Sequence, residues 1–429
     1  MSKKITFPRG TSDILPQEAL LWQKLEQESR TLLGLYGYKE IRTPFFEETD
    51  LFARSIGQTS DIVQKQILNL ASQRLDDKGN IKLSGLSLRP EGTASVVRSY
   101  IQNGFDRQEN LSKLFYIGPM FRGERPQKGR LRQFHQIGVE AIGPGAGSPY
   151  LDAEVIALSV NLLNSFGLNG FRLKINTLGS NEDKKNFSKY LREQLNPLIN
   201  DLCGDCQSRF ERNVFRILDC KSKECKTIVS KIDLTTGAYL SSESQEYFVK
   251  VKAALDDLGV DYIEDPKLVR GLDYYTHTVF EISDASLGSQ DALGAGGRYN
   301  NLVTQLGGPK VDAVGFALGV ERIMLAMPEI QQEEHPTIDV YLIAGDEKFL
   351  PRTFKILNTL RENKFSSSMG YKFASIKNQM KVANKIGARF VMILGEKEYN
   401  NKTASLKNMS TGEQREISEN EYIKVMKEL

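Results

Sequence analysis

LFYIGPMFRGERPQKGRLRQFHQIGVE, residues 114–140, decides how the rest of the chain is read. Two short apolar runs, Leu114–Phe121 and Phe134–Val139, flank a polar segment carrying Arg122, Arg125, Lys128, Arg130 and Arg132. Aromatic and branched residues on both sides of a turn signal predict an antiparallel hairpin. Side chains alternate along a strand, so Phe134, Gln136, Gly138 and Glu140 share one face. An aromatic plate, an amide, a gap and a carboxylate then point the same way, with arginines at the turn. The plate suits a purine ring and the amide and carboxylate suit a small polar substrate. The arginines suit phosphates, which guanidinium groups grip bidentately. A surface hairpin with a solvated basic loop is the competing reading. His135 falls on the opposite face from Gln136 and Glu140, where a packed histidine is expected.

Working outward, residues 17–36 place Leu21, Leu25, Leu32 and Leu35 near helical spacing, with Gly37 as a stop. Tyr38–Ile41 starts a strand that meets Pro44, a residue suited to a strand edge, a bulge or a loop. In LSLRPEGTASVVRSYI (86–101), Thr93 is either a helix cap or, with Glu91, the partner of a substrate ammonium group. Leu151–Phe166 reads as a helix and Phe171–Leu178 as a strand. Residues 180–262 are rich in lysine and glutamate, helical in pattern, and hold all four cysteines. Strand-like text returns at 268–283, 293–308 and 314–327. On a strand Tyr274 and Tyr275 would face opposite ways. Gly294, Gly296 and Gly297 allow close backbone approach, but their spacing is not that of a dinucleotide fingerprint. QQEEHPT (331–337) reads as a linker, and the strands and helices after it alternate as in a small α/β unit.

Forty per cent hydrophobic and 26% charged residues over 429 positions describe a globular chain of two or three domains. No apolar run approaches the roughly 20 residues that span a bilayer, and MSKKITFPRG has no secretory or transit pattern. No membrane association and a cytoplasmic location are therefore expected. Net charge is only +3; residues 337–429 hold 16 Lys/Arg against 11 Asp/Glu, or +5, leaving −2 for the remainder. Such a tail is compatible with a polyanionic partner. Cys203, Cys206, Cys220 and Cys225 give C-x2-C, thirteen residues, then C-x4-C. That spacing admits either a tetrahedral structural zinc or buried free thiols. With only His135, His277 and His335 in the chain, a three-histidine metal site is not expected.

Residues 114–140 resemble motif 2 of the class II aminoacyl-tRNA synthetases, and FRGERPQKGRLRQFHQIGVE is similar to the histidine-specific branch of that family. EIRTPFFEETDLF resembles motif 1, which implies a homodimer; GFALGVERIMLAM resembles motif 3; and RGLDYYTHTVFE is similar to a signature of the histidine-specific branch. The resemblance implies an α+β fold: an antiparallel catalytic sheet flanked by helices (1–179 and 263–330), an inserted helical domain (180–262), a linker (331–337) and a C-terminal α/β anticodon-binding domain (338–429). It implies activation of L-histidine by ATP with Mg²⁺, then transfer to tRNA(His). Arg122 and Arg270 would serve the α-phosphate and the substrate carboxylate. Glu91, Gly92, Thr93, Gln136, Glu140, Tyr274 and Tyr275 would bind histidine, Tyr275 and Glu140 taking the two imidazole nitrogens. Arg130 would meet the γ-phosphate, and Phe134 and Arg322 would sandwich the adenine. Arg125 and Gln127 would read the acceptor end of the tRNA. Asn300-Asn301 stands where the family usually has Asp-Gly. The alternative is a non-catalytic relative, the synthetase-like regulatory subunit of histidine biosynthesis, which typically lacks the C-terminal domain.

Overall fold

The computed structural model describes residues 4–58, 60–75, 81–108, 110–235, 239–328 and 338–429, so the expected linker at 331–337 and His335 lie outside the described residues. The chain divides into two compact units, Met1–Pro328 and Glu329–Leu429. The strands of the first unit are β1 (Lys39–Glu40), β2 (Phe46–Glu48), β3 (Asn69–Leu75), β4 (Ile81–Leu88), β5 (Ser112–Phe121), β6 (Gln133–Ile142), β7 (Arg172–Thr177), β8 (Ile263–Glu264), β9 (Thr276–Ser283), β10 (Ala292–Arg298) and β11 (Ala313–Gly319). Its helices are α1 (Pro16–Leu35), α2 (Thr49–Ile56), α3 (Thr93–Gln102), α4 (Pro149–Ser165), α5 (Asn181–Leu195), α6 (Gly204–Arg212), α7 (Lys223–Val229), α8 (Ser242–Asp257), α9 (Leu302–Gln305) and α10 (Val320–Ala326).

The main sheet has the order β1-β5-β6-β11-β10-β9-β7-β8, and β2-β4-β3 form a smaller one. From β5 to β7 every pairing is antiparallel, while the two-residue edge strands β1 and β8 pair in parallel. The hairpin expected from 114–140 is β5–β6, with Tyr116 opposite Gly138 and Leu114 opposite Glu140. Pro44 lies in the connection between β1 and β2, outside both strands.

Period-two alternation sorts the two faces. Ile137 and Val139 of β6, Phe316 and Leu318 of β11, and Phe280 and Ile282 of β9 turn to one side. There they meet Trp22, Leu25 and Leu33 of α1, Ile156 and Leu162 of α4, and Phe248, Val251 and Leu255 of α8. Each such side chain contributes about 1.5–3 kcal/mol on full burial. The buried stripe of α1 is Trp22, Leu25, Ser29 and Leu33; Leu35 is exposed. The other face carries Glu140, Gly315 and Gly297 in one row and Gly138, Ala317 and Ala295 in the next. Small residues on adjacent strands hollow this face, and α3 together with the helices after Gly179 closes around it.

The composition shift over 180–262 does not follow the packing. Helix α8 belongs to the core against α4, whereas Phe187, Leu191, Phe210 and Ile217 share a core with Val96, Tyr275 and Tyr299 beside the hollow face. In the second unit, β12 (Ile338–Ala344), β13 (Ser367–Met369) and β14 (Ala388–Leu394) are parallel, and β15 (Thr403–Asn408) and β16 (Gln414–Ser418) add antiparallel edges. Helices α11 (Leu350–Glu362) and α12 (Ile376–Lys385) complete the α/β pattern read from the sequence.

One buried ion pair ties the layers of the first unit together. The Arg298 guanidinium on β10 donates to the Asp152 carboxylate on α4, and both side chains are fully buried. Thr278 Oγ1 on β9 (2.6 Å) and the Tyr247 hydroxyl on α8 (3.1 Å) donate to the same carboxylate. Removing one charge of such a pair strands the other in low dielectric. Asp152→Asn is expected to destabilise the first unit by about 3 kcal/mol, and Asp152→Leu with Arg298→Met to recover most of that loss. Urea unfolding followed by circular dichroism checks both; an Asp152→Asn midpoint equal to the parent's would remove the pair from its place in the fold.

Candidate active site

The hollow face opens into a cleft of about 980 Å³ including its mouth. Its inner end is acidic. Glu140 is completely buried on β6, and Gly315 on the neighbouring strand leaves room for it: a Cβ there would stand 2.1 Å from Glu140 Oε2. Thr93 Oγ1 donates to Glu140 Oε1 at 2.6 Å, and the Tyr299 hydroxyl donates to Oε2. All the partners are neutral. Burial therefore pushes the Glu140 carboxyl up to about 8, with the nearby Glu91 adding to the rise and the two hydroxyl donors opposing it. Glu91 is buried too and raised by that burial; its carboxylate accepts from the backbone N–H groups of Thr93 (2.7 Å) and Ala94 (2.9 Å). So Glu91, and not the Thr93 side chain, caps α3, leaving the threonine hydroxyl free for Glu140.

Gly138 is not an open gap. The Tyr116 ring fills it: a Cβ on Gly138 would come within 2.2 Å of that ring, and one on Gly92 within 2.3 Å. Gly92 thus packs against Tyr116 and does not line the cleft. Among the described residues, the Tyr116 hydroxyl and Gln136 Oε1 are buried with no hydrogen-bond partner. Gln136 lines the acidic end, where an incoming donor would satisfy its oxygen.

Residues 271–275 are loop, and β9 begins only at Thr276. Freed from strand alternation, Tyr274 and Tyr275 both line the cleft, their ring centroids 4.8 Å apart; Tyr274 also lies edge-on to Tyr299 at 5.7 Å. The opposite facing that strand alternation would impose does not apply to them.

The outer end is cationic. The Arg122 guanidinium stacks 5.0 Å from the Phe134 centroid, and its Nε donates to Pro90 O at 2.9 Å. Arg322 donates to the carbonyls of Gly129 (2.8 Å) and Ala292 (2.6 Å). The cation over Phe134 is Arg122. Burial draws both guanidinium groups below their ordinary value. Arg270 pairs with Glu281 of β9, and Arg130 with Glu124. Arg125 and Gln127 are at the tip of the hairpin and do not line the cleft. His135 packs edge-on to Trp22 at 4.7 Å and contacts Glu321, as expected of the opposite face. Asn300 accepts from Arg298 and Ala313, and Asn301 donates to Asn181; neither lines the cleft.

Sequence reasoning missed Tyr116, Tyr299, Glu124 and Glu281. A signal for the first was present, since a hairpin centred on the 122–132 loop sets Tyr116 opposite Gly138. The four cysteine Sγ atoms lie within 4.8 Å of one another, Cys203 and Cys220 at 3.8 Å. Four sulfurs at about 2.3 Å from a tetrahedral zinc would stand about 3.8 Å apart, so the donor set and its spacing fit that ion.

A family model described as "Histidyl-tRNA synthetase" matches residues 10–323, and one described as "Anticodon binding domain" matches 339–429. The chain is 44% identical over 427 residues to the histidine–tRNA ligase of Halothermothrix orenii, covering 99% of each. It is 46% identical over 415 residues to that of Staphylococcus carnosus, covering 95% of this chain and 94% of the relative. Its structure is similar to the crystal structure of apo S. aureus histidyl-tRNA synthetase, with a TM-score of 0.79, 38% identity, and coverage of 99% of this chain and 100% of that one. With two family models laid end to end along one chain and relatives aligned over nearly their full length, the chain belongs to the histidyl-tRNA synthetase family of class II aminoacyl-tRNA synthetases.

Proposed function

We propose that the protein activates L-histidine with ATP and transfers it to tRNA(His). The observation that carries this reading is the division of a single cleft into a buried acidic end, Glu91 and Glu140, and an arginine end, Arg122, Arg270 and Arg322. The histidine carboxylate attacks the α-phosphorus of ATP, forming histidyl-adenylate and expelling pyrophosphate. Arg122 and Arg270 offset the negative charge that builds on the non-bridging oxygens, and both are fixed before the reaction by Pro90 O and Glu281. Arg130 takes the γ-phosphate, and Arg322 with Phe134 bounds the adenine. Mg²⁺ would come with ATP, held mainly by its phosphates and water, and would offset charge on the leaving pyrophosphate; Glu124 and Glu321 are carboxylates that line the cleft. A ribose hydroxyl at the tRNA 3′ end then attacks the adenylate carbonyl and releases AMP.

In the acidic end, Glu91 and Thr93 meet the substrate ammonium. Glu140, Gln136, Tyr274 and Tyr275 surround the imidazole, Glu140 and Tyr275 taking its two nitrogens. A side chain that leaves those buried groups unpaired is rejected at high cost. Arg125 and Gln127, at the hairpin tip, contact the tRNA acceptor end. The second unit binds the anticodon. Two chains associate through the motif 1 region, where Phe45 and Phe46 are about half exposed (52% and 51%). The four cysteines hold a structural zinc. The regulatory-subunit reading is not favoured, because the relatives aligned along the whole chain are histidine–tRNA ligases. Among the described residues no helix is long and apolar enough to cross a membrane.

Histidine-dependent exchange of labelled pyrophosphate into ATP tests the reaction, with the other amino acids as controls; exchange with another amino acid would overturn the pocket assignment. Arg270→His is expected to lose about a hundredfold or more in that exchange while remaining folded. Near-parental exchange would remove Arg270 from the chemistry.

Glu140 makes a pH-dependent prediction. Its folded-state value lies above that of an unfolded carboxyl, so the unfolded chain sheds this proton first as pH rises. Its contribution to stability therefore falls between the ordinary carboxyl range, roughly 4.3, and about 8, then levels off. Urea unfolding of the parent and Glu140→Gln at pH 5, 6.5 and 8 should show the parent losing stability relative to the variant as pH increases. Parallel profiles would mean that Glu140 titrates normally.

A further inference from the structure

The two cysteine pairs bracket thirteen residues, 207–219, and two polar side chains in that bracket reach the wall of the histidine pocket. Asn213, which ends α6, donates from Nδ2 to Asp273 Oδ1 at 2.9 Å. Arg216 lies against Gly271 so closely that a Cβ there would stand 2.8 Å from its Nη1. Lys184 on α5 donates from Nζ to the carbonyls of Asp273 (2.9 Å) and Tyr275 (2.7 Å). On the far side the Asp273 N–H donates to Ile56 O at 3.2 Å. The loop that carries Arg270, Tyr274 and Tyr275 is thus short of regular structure of its own and takes its shape from side chains of the helical segment.

We propose that zinc held by Cys203, Cys206, Cys220 and Cys225 closes the 207–219 bracket, and that Asn213 and Arg216 in it act as positioning residues for the histidine-recognition loop. This rests on the reading of the cleft as a histidine site. Three of the four thiols are buried, and the two pairs come from segments with no other covalent tie. Metal ligation would fix the ends of the bracket and remove most of its conformational freedom. Asn213 then meets Asp273 in one geometry, and Tyr274 and Tyr275 keep theirs. Histidine affinity depends on the metal although the metal touches no substrate. Arg270 apart, the residues of the ATP end, on the β5–β6 hairpin and α10, make no such contact with the bracket among the bonds described, so histidine binding should respond more than ATP binding.

The test uses the full-length protein purified without chelator. Elemental analysis should find about one zinc per chain. Cys220→Ser with Cys225→Ser should lose the zinc and raise the KM for histidine roughly tenfold or more in pyrophosphate exchange, with the KM for ATP little changed. That variant can fail to fold, so Asn213→Ala is the sharper probe. It should keep its zinc and its thermal midpoint yet show the same roughly tenfold rise in KM for histidine alone. Exchanging the partners, Asn213→Asp with Asp273→Asn, should restore histidine KM towards the parent value, which a general loss of stability would not do. A zinc-free parent with normal histidine KM would overturn the metal's part, and unchanged histidine KM in zinc-loaded Asn213→Ala would overturn the positioning. Absence of histidine-dependent exchange in the zinc-loaded parent would instead strike the functional reading itself.

Discussion

A carboxyl group buried without a cation is the constraint from which the rest of this site follows. Glu140 is sealed into the sheet face and, among the described residues, bonded only to hydroxyl donors from Thr93 and Tyr299. Burying such a group is tolerable only if the donors are placed by elements that cannot drift. Thr93 is fixed because it opens α3, and α3 is fixed because Glu91 caps its first turn. Gly315 must lack a side chain so that Glu140 has space, and Gly138 must lack one so that Tyr116 can close the pocket beneath it. Even so, the carboxyl sits far above its ordinary range. The folded protein holds this unmet demand in reserve for a ligand bearing N–H groups.

Distance along the cleft separates two charge regimes. At the inner end the acids outnumber the cations, while at the outer end each arginine is held by a local acceptor and still faces the cleft. Arg270 has Glu281, Arg130 has Glu124, and Arg322 has two backbone carbonyls. These bonds orient the guanidinium groups before a phosphate arrives, so little reorganisation accompanies the reaction. The cleft therefore offers acceptors at one end and cations at the other.

Much of this was legible in the sequence because period-two alternation is a strong rule. From residues 114–140 alone the hairpin, the shared face of Phe134, Gln136 and Glu140, and the exclusion of His135 could be read, and the packing agrees. The failures came where that rule was extended too far. Residues 271–275 look like the start of β9 by composition, yet Tyr274 and Tyr275 stand before it and escape alternation. Gly138 looked like space for a ligand because the partner strand was left out of account; register with β5 fills the space with Tyr116.

The helical segment after Gly179 shows a deeper limit. Its lysine- and glutamate-rich text describes an exposed surface, and composition cannot say where its apolar residues go. They divide. Phe248, Val251 and Leu255 of α8 join the core behind the sheet, while Phe187, Leu191 and Ile217 join Tyr274, Tyr275 and Tyr299 in the core beside the pocket. Interiors packed at crystal-like density transmit displacement and do not absorb it. A shift of α5 or α6 must therefore be felt by the tyrosines that line the cleft. What reads in sequence as an appendage between two halves of a domain is, in packing terms, the support behind the tyrosines of the cleft.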